Sequence, residues 1–553
     1  MLTELDRRYD DLLAEVTAPG GRLVIGADER GRAIVTNFPA TLPALFRTFC
    51  ALYPESEAVV CGEERLTFAD LDRVSERVAR GLVARGIAKG DRVAIAMRNC
   101  PSWIASYMGI VKAGGIATLL NGWWEAHEME QGIRLADPAL IIADAPRARR
   151  IAEYCSDCDL LSIPIDLPLE QAMAALLDAD EATPLPDVAP EDDASILFTS
   201  GSTGDSKGAL STHRAVTTAT YAYATGLIVL RGILEADGTP PPTARTLLSV
   251  PLFHVTGEVP VMINSFVIGR CMVVMPKWDV GEALRLIERE KITYFVGVPT
   301  MSLELMNHPD RANYDLSSLK DITAGGAPRP ISHVERLKEQ FPAAQPALGY
   351  GLTETNAAGC ANYWGNYAAR PASTGRAQKP FIDLAILGAN DVHLPVGEVG
   401  EIGIRTAAAI KGYFRNPEAT AALFTADDFV RTGDIGYLDE DGYLFIVDRK
   451  KEIIIRGGEN ISAAEVEAAC YACPAVAEAS VFGAPDERLG EVPVAVIFVK
   501  DGEQLHEADL LGFLDGRLAK FKIPARVIFS DASLPRLGTG KIDRRALKAQ
   551  YAH

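Results

Sequence analysis

The chain has 553 residues, is 48% hydrophobic and 23% charged, and carries a formal net charge of −19 at pH 7. The length exceeds what one hydrophobic core accommodates, and the composition is typical of a folded protein, so we expect a large domain and a smaller one. The negative charge argues against a nucleic acid or an anionic membrane surface as the partner.

The N-terminal region has no basic stretch followed by an apolar one, so the sequence predicts no signal peptide. The longest apolar segments, such as residues 259–269, are too short to span a membrane, and a cytoplasmic protein is the default expectation. Nine cysteines, an odd number, favour reduced thiols over a disulfide framework. We interpret the pairs Cys155/Cys158 and Cys470/Cys473 as thiols, because they lie far apart and have no nearby histidine for a shared zinc site.

The first forty residues are weakly periodic and are interpreted as a lead-in. From Thr67 the pattern sharpens: Thr67 with Asp70 resembles a capping box and opens a helix that Gly86 ends. Strands then alternate with helices, which predicts crossover units and a largely parallel sheet covered on both faces, an α/β fold. The predicted strands include residues 92–97, 116–120, 140–142, 246–250, 271–275, 294–298 and 319–322.

A loop of glycines, hydroxyl side chains and one lysine, Thr199 to Gly208, directly follows the apolar run Ile196-Leu197-Phe198. A strand that ends in such a loop is typical of a phosphate site, because free N–H and OH groups surround the anion. The spacing is neither that of the usual P-loop nor that of a dinucleotide fingerprint. A flexible linker is the alternative, but a lysine beside a glycine after a buried strand argues against it.

Later strands also end in loops rich in small residues, which lets a planar ligand approach the backbone. Since ligands bind at the carboxyl ends of parallel strands, we expect these loops to gather around one site. Around residue 380 the pattern changes to glycine-punctuated alternation, which favours antiparallel strands. Ser462 and Glu465 then open a helix, and we place the boundary at Asp448, predicting domains 1–447 and 448–553.

Seven stretches together resemble the adenylate-forming superfamily of acyl-CoA synthetases, peptide-synthetase adenylation domains and beetle luciferases. They are Thr199 to Gly208, Leu252 to Gly257, Thr323 to Pro328, Gly349 to Thr355, Thr432 to Asp434, Asp448 to Ser462 and Pro535 to Arg544. The resemblance covers nearly the whole chain and is strongest to bacterial fatty acyl-CoA synthetases. It implies a large N-terminal AMP-binding domain of parallel sheets with a β portion, and a small mobile α+β domain hinged at Asp448/Arg449.

The resemblance also implies an AMP-forming acid–thiol ligase that uses ATP, Mg²⁺ and CoA. A carboxylate attacks the α-phosphate of ATP, pyrophosphate leaves, and a thiol then displaces AMP. Both steps bring anions together, so catalysis rests on positioning and charge neutralisation. The implied catalytic residues are Lys541, Glu354, Thr353 and His254, with Thr199 and Glu354 on the magnesium ion.

Within this resemblance, Lys541 bridges the acyl carboxylate and the α-phosphate, and His254 lies beside the acyl pocket. Gly458 belongs to the loop that replaces Lys541 when the small domain rotates for thioester formation. Taken alone, Lys541 would be interpreted as a surface lysine and His254 as a structural histidine. The remaining implied nucleotide-binding residues are Thr199, Ser200, Gly201, Ser202, Thr203, Gly204 and Lys207 for the phosphates, Gly325, Gly326, Ala327 and Tyr350 for adenine, Asp434 for the ribose, Arg449 near the ribose or phosphate, and Gly349 and Gly351 beside Tyr350.

We expect the acid to be a fatty acid of medium or long chain. The motifs near the acyl pocket offer a neutral lining of small residues at Val255, Thr256, Gly257, Gly325 and Gly359. Aryl acids such as cinnamate or benzoate derivatives stay open, as does an acyl-AMP ligase that loads a carrier protein. A non-catalytic nucleotide-binding relative would lack the catalytic side chains, which are present here. Homodimers are common in the family, and the paired tryptophans at 123–124 are left without an interpretation.

Overall fold

A computed structural model describes residues 1–124, 126–155, 158–199, 206–327, 329–449, 452–456, 459–537 and 541–552. The strands up to residue 351 are β1 Ile25–Ala27, β2 Ala33–Val35, β3 Glu57–Cys61, β4 Glu64–Thr67, β5 Arg92–Ala96, β6 Ile116–Leu119, β7 Leu140–Asp144, β8 Leu160–Ile163, β9 Asp193–Thr199, β10 Lys207–Thr212, β11 Arg245–Leu248, β12 Cys271–Val274, β13 Tyr294–Gly297, β14 Asp321–Ala324 and β15 Gln345–Gly351. The later strands are β16 Gly359–Tyr363, β17 Gly375–Ala377, β18 Asp383–Leu387, β19 Gly400–Arg405, β20 Gly412–Tyr413, β21 Val430–Leu438, β22 Tyr443–Arg449, β23 Ile454–Arg456, β24 Glu459–Ile461, β25 Val476–Asp486, β26 Gly490–Val499 and β27 Arg526–Ser530.

The α-helices are α1 Glu4–Thr17, α2 Leu42–Leu52, α3 Phe68–Ala84, α4 Pro101–Lys112, α5 Ala126–Ala136, α6 Ala145–Tyr154, α7 Leu169–Ala172, α8 His213–Ala236, α9 Asn264–Ile268, α10 Val280–Glu290, α11 Pro299–Asn307, α12 Ile331–Gln340, α13 Trp364–Ala369, α14 Pro417–Leu423, α15 Ala463–Tyr471, α16 Glu507–Leu514 and α17 Arg544–Tyr551. A seven-residue π-helix, Gly257–Ile263, precedes α9. None of the helices within the described ranges is both long and apolar enough to cross a membrane.

A seven-stranded sheet in the order β20-β10-β9-β6-β5-β7-β8 forms the first layer of the large part of the chain. Its strands β9, β6, β5, β7 and β8 are parallel, and β10 and β20 add an antiparallel edge. Alternate residues of β5 face opposite sides, with Val93 and Ile95 in one core cluster and Ala94 and Ala96 in another. This burial of both faces confirms the predicted α/β fold.

A thirteen-stranded sheet in the order β18-β19-β21-β22-β17-β16-β15-β14-β13-β11-β12-β3-β4 forms the second layer. Its central strands from β15 to β3 pair in parallel, and those from β16 to β18 pair antiparallel. The antiparallel portion therefore begins at Gly359, about twenty residues before the change that the sequence pattern shows. It includes β21 and β22, which carry Asp434 and Arg449 into the neighbourhood of the parallel strands.

The C-terminal part forms a five-stranded sheet from β23 to β27, with α15 and α16 on one core cluster and α17 on another. Ser462 begins α15 as expected, since its side chain accepts a hydrogen bond from the Glu465 amide at 3.1 Å. Strand β22 ends at Arg449 and β23 begins at Ile454. The domain boundary at Asp448 stays a prediction.

One helix was not predicted, and one expectation about local structure was wrong. The lead-in forms helix α1, whose capping box joins Thr3 and Asp6. The helix is held in place because Asp6 is buried and accepts hydrogen bonds from the Tyr443 hydroxyl at 2.7 Å and the Asn366 amide at 2.9 Å. These partners lie hundreds of residues away, so local periodicity does not reveal them. Cys155 and Cys158 form a disulfide just after α6, whereas Cys470 and Cys473 are buried thiols as expected.

Candidate active site

A cavity of about 2640 Å³ lies where the carboxyl ends of the parallel strands meet the C-terminal part of the chain. Every predicted site residue that the structure describes lines this cavity: Thr199, Lys207, His254, Gly325, Gly326, Ala327, Gly349, Tyr350, Gly351, Thr353, Glu354, Asp434, Arg449 and Lys541. The other predicted residues, Ser200, Gly201, Ser202, Thr203, Gly204 and Gly458, lie outside the described residues. The fold therefore brings together positions from both layers and from the C-terminal part.

Tyr350, Asp434 and Arg449 form a connected polar group on one wall. Asp434 and Arg449 are directly opposite each other on β21 and β22. One carboxylate oxygen of Asp434 accepts from the Tyr350 hydroxyl at 2.7 Å, and the other lies 3.1 Å from Arg449 Nε. Burial raises the pKa of Asp434, and the Arg449 charge opposes that rise. The wall thus offers a carboxylate held in place beside an aromatic ring.

Glu354 lies close to the ends of the phosphate loop, Thr199 to Gly208. Thr199 and Lys207 face each other across β9 and β10, where the loop leaves and rejoins the sheet. The Tyr413 hydroxyl donates to Glu354 Oε1 at 2.7 Å, and Lys207 Nζ lies 4.9 Å from the centre of the Tyr413 ring. Tyr413 therefore connects the Glu354 carboxylate to the lysine of the loop.

Lys541 reaches the cavity from the C-terminal part, where the Leu537 amide donates to the Lys541 carbonyl at 2.8 Å. A Cβ on Gly326 would meet Lys541 Cε at 3.2 Å and Nζ at 3.5 Å, so the lysine lies directly against the Gly326 backbone. Gly326 also has a φ of +75°, which other residues rarely adopt. Burial, followed by the nearby Arg449 charge, lowers the pKa of Lys541 to about 8.

His254 also lines the cavity, and its Nδ1 accepts a hydrogen bond from the Thr256 amide at 3.3 Å. Burial, assisted by the positive charge of Lys541, lowers the pKa of His254 to about 3. The imidazole is therefore neutral at physiological pH. It can position or exclude other groups, but it does not supply a positive charge there.

The cavity also has an apolar lining beside β13, which we call the apolar arm. Its lining includes Val255, Val296 and Val298 and two residues that the sequence reasoning missed, Tyr223 and Tyr294. Tyr223 resembles core on a long apolar helix and Tyr294 opens an ordinary strand, so neither carries a local signal. Of the small residues predicted to line the pocket, Gly257 and Gly359 do not border the cavity. Added Cβ atoms there would meet backbone oxygens at 2.2 and 2.3 Å, so these glycines allow close chain packing instead.

The paired tryptophans separate in the structure. Trp124 is buried and makes an edge contact with Phe198, with the ring centres 5.1 Å apart. Trp123 is 39% exposed, lines the cavity, and lies 5.9 Å from the Arg147 guanidinium. Trp124 therefore supports the strand that leads into the phosphate loop.

Comparison with known proteins gives a consistent result. Residues 46–414 match the family described as AMP-binding enzyme, and residues 465–541 match the AMP-binding enzyme C-terminal domain. A long-chain-fatty-acid–CoA ligase of Bacillus subtilis (strain 168) is 34% identical over 92% of this chain and 94% of its own length. A feruloyl-CoA synthase of Amycolatopsis sp is also 34% identical, over 90% of this chain and 96% of its own length. The structure of ATP-bound MatB from Rhodopseudomonas palustris superposes with a TM-score of 0.81 at 29% identity, covering 93% of this chain and 99% of that one.

The chain therefore belongs to the AMP-binding enzyme family, which confirms the resemblance to adenylate-forming proteins. Within that family it is an AMP-forming acid–thiol ligase, an enzyme that makes acyl-CoA through an acyl-adenylate.

Proposed function

We propose that this ligase activates a fatty acid of medium or long chain and transfers the acyl group to CoA. A carboxylate oxygen attacks the α-phosphorus of ATP, and the bond to pyrophosphate breaks. The CoA sulfur then attacks the acyl carbonyl carbon, loses its proton, and AMP leaves. The observation that carries the proposal is the position of Lys541, which lies against Gly326 in the cavity that the apolar arm also lines.

In this proposal Lys541 neutralises the acyl carboxylate and the α-phosphate as they approach each other. Its charge is effective because burial removes much of the screening water. Gly325, Gly326 and Ala327 border adenine, with Tyr350 stacked on the base. Gly349 and Gly351 keep the adjoining backbone free of side chains. Asp434 accepts hydrogen bonds from the ribose hydroxyls, with Arg449 beside it.

Thr199 and Glu354 are proposed to hold Mg²⁺, with Thr353 and Lys207 on the phosphates. The two oxygen donors suit a hard cation. Within the described ranges, no group of three or more histidine, cysteine, aspartate or glutamate side chains is arranged to hold a metal. This fits Mg²⁺, which is commonly bound through one or two carboxylates, substrate phosphates and water. When bound, the ion neutralises charge on the phosphate chain.

The acid is proposed from the apolar arm, because Val255, Val296 and Val298 suit a hydrocarbon chain. An aryl acid is the second candidate. It is favoured by the aromatic lining at Tyr223 and Tyr294 and by the similarity to a feruloyl-CoA synthase. A cytoplasmic location, a homodimer and a hinge at Asp448 also remain predictions, as does the role of the Gly458 loop.

The test is pyrophosphate release over a panel of saturated fatty acids and cinnamate or benzoate derivatives, with and without CoA. We expect activity with fatty acids in the native protein and its loss in Lys541→Ala. Lys520→Ala is the matched control, because Lys520 is an exposed lysine of the same part of the chain that does not line the cavity. Release with aryl acids alone would favour the second candidate. Equal rates in Lys541→Ala and the native protein would overturn the role of the lysine.

A further inference from the structure

The apolar arm follows one face of β13. Tyr294, Val296 and the following Val298 line the cavity, whereas Phe295 packs in the core behind the sheet. Gly325 lies at the other end of this face, where its amide donates to the Gly297 carbonyl at 3.3 Å. A strand of a parallel sheet rises about 3.3 Å per residue, so Tyr294 lies roughly 13 Å along the strand from Val298.

Charged side chains lie close to Tyr294, and such an environment does not suit a hydrocarbon chain. Tyr294 is in register with Asp321 of the neighbouring strand β14. Asp321 accepts a hydrogen bond from Trp364 Nε1 at 2.7 Å, and burial raises the pKa of Asp321 to about 6. The Arg270 guanidinium lies 4.7 Å from the centre of the Tyr294 ring. The ring lines the cavity, whereas the acidic and basic side chains beside it do not.

The Tyr294 ring is also held in place, because Arg270 has little freedom to move. Arg270 is 2% exposed, its Nε donates to Ser265 Oγ at 2.9 Å, and its Nη2 donates to the carbonyls of Pro260 and Val261 at 3.0 and 3.1 Å. Those two carbonyls belong to the π-helix, which forms another wall of the arm through Pro260. A buried cation over an aromatic face is attracted to it, so Arg270 ties the π-helix to the Tyr294 ring.

We propose that Tyr294, braced by Arg270, is the floor of the acid pocket and limits the acid to about ten carbons at most. Bonds of about 1.5 Å at near-tetrahedral angles advance an extended chain roughly 1.3 Å per carbon, so about 13 Å of strand between Tyr294 and Val298 corresponds to at most about ten carbons. A longer acid has to displace the ring or place methylenes beside Asp321 and Arg270. This inference rests on the proposed function, and it narrows the predicted range to medium-chain acids.

The experiment compares Tyr294→Leu with Tyr294→Phe, measuring kcat/KM from pyrophosphate release with saturated acids from hexanoic to octadecanoic. Leucine replaces the Tyr294 ring by a shorter side chain that still covers the Arg270 guanidinium with carbon. Phenylalanine keeps the ring. We expect the native enzyme and Tyr294→Phe to prefer octanoic or decanoic acid. In Tyr294→Leu the ratio of kcat/KM for tetradecanoic over decanoic acid rises at least about tenfold, since each newly buried methylene is worth about fourfold.

A second variant, Arg270→Met, removes the cation that holds the Tyr294 ring and leaves the ring itself unchanged. We expect it to flatten the decline in kcat/KM beyond decanoic acid while the KM for ATP is unchanged, which a merely structural role would not produce. A melting curve establishes whether each variant is folded. If Arg270→Met is not folded, the comparison of Tyr294→Leu with Tyr294→Phe tests the proposal.

The outcomes separate the two proposals. Absence of pyrophosphate release with every fatty acid overturns the proposed function, and the floor with it. Activity with fatty acids but an optimum at hexadecanoic acid or longer overturns the floor alone. A Tyr294→Leu profile identical to that of the native enzyme does the same.

Discussion

Lys541→Met tests the central residue of the site, because methionine keeps much of the side-chain length and removes the charge. Removal of one preorganised charged donor costs about 10² to 10³ in rate, so we expect the adenylation rate to fall by that factor. Transfer of the acyl group from added acyl-adenylate to CoA should change far less. The proposed thioester-forming arrangement places the loop containing Gly458, and not Lys541, at the site.

The pKa of Lys541 gives this prediction a pH dependence with a definite sign. The pKa is about 8 in the folded chain, below the ordinary value of 10.5. The amine is thus charged at pH 7, and adenylation in the native enzyme should decline as the pH rises through about 8. Lys541→Met should show no such decline.

The same pKa difference affects stability. Between pH 8 and 10.5 the unfolded chain binds more protons at Lys541 than the folded chain does, so the free energy of unfolding rises with pH across this window. At about 1.4 kcal/mol per pH unit, the lowered pKa corresponds to a cost of at most about 3.5 kcal/mol for burying the charge at pH 7. Lys541→Met should therefore melt no lower than the native protein at pH 7 while losing adenylation.

The assay measures each half-reaction separately between pH 6 and about 9.5, with calorimetric melting of the same samples and Lys520→Met as the control. A variant that adenylates at the native rate would refute the reasoning about charge. A variant with a strongly lowered melting temperature at pH 7 would refute the reasoning about burial.

Three further predictions concern the rest of the site. Gly326→Ala should slow adenylation at least about tenfold in the same assay, because its backbone is left-handed and a Cβ presses on Lys541; a native rate would contradict this contact. Tyr413→Phe removes the hydrogen bond to Glu354, so the Mg²⁺ concentration that gives half-maximal adenylation should rise about fivefold to tenfold. An unchanged Mg²⁺ concentration would count against Glu354 as a metal ligand. Asp448→Pro should slow thioester formation more than adenylation in single-turnover experiments, and equal slowing would count against a hinge there.

Much of the fold follows from the sequence because the buried parallel strands are short, apolar and separated by helices. Strand β5 begins at Arg92 as predicted, and helix α3 begins after Thr67 with its capping box. Helix α1 was missed because its stability depends on Asp6 and distant partners. The disulfide between Cys155 and Cys158 was missed because the composition describes the chain as a whole and not two particular cysteines.

The candidate site was likewise predicted only in part from local sequence. The glycines and the lysine of the phosphate loop indicate a phosphate site by themselves, whereas Lys541 taken alone resembles a surface lysine and was identified through the resemblance of seven motifs in order. Tyr413 and Tyr294 were missed altogether. An aromatic residue in a strand usually packs in a core, and only the pairing of β20 with β10 and the course of β13 turn these two rings toward the cavity.

The short strand β20 also has a mechanical consequence. It joins the edge of the seven-stranded sheet, and its Tyr413 hydroxyl holds Glu354, which follows a strand of the thirteen-stranded sheet. The contact between Tyr413 and Glu354 therefore belongs both to the packing of the two sheets and to the proposed metal site. If Glu354 holds the metal as proposed, binding of a magnesium–nucleotide complex would tie the two layers together. The backbone bonds from Lys411 to Leu210 and from Phe414 to Gly208 should then open less often, and hydrogen exchange at those two amides should slow when the nucleotide is added.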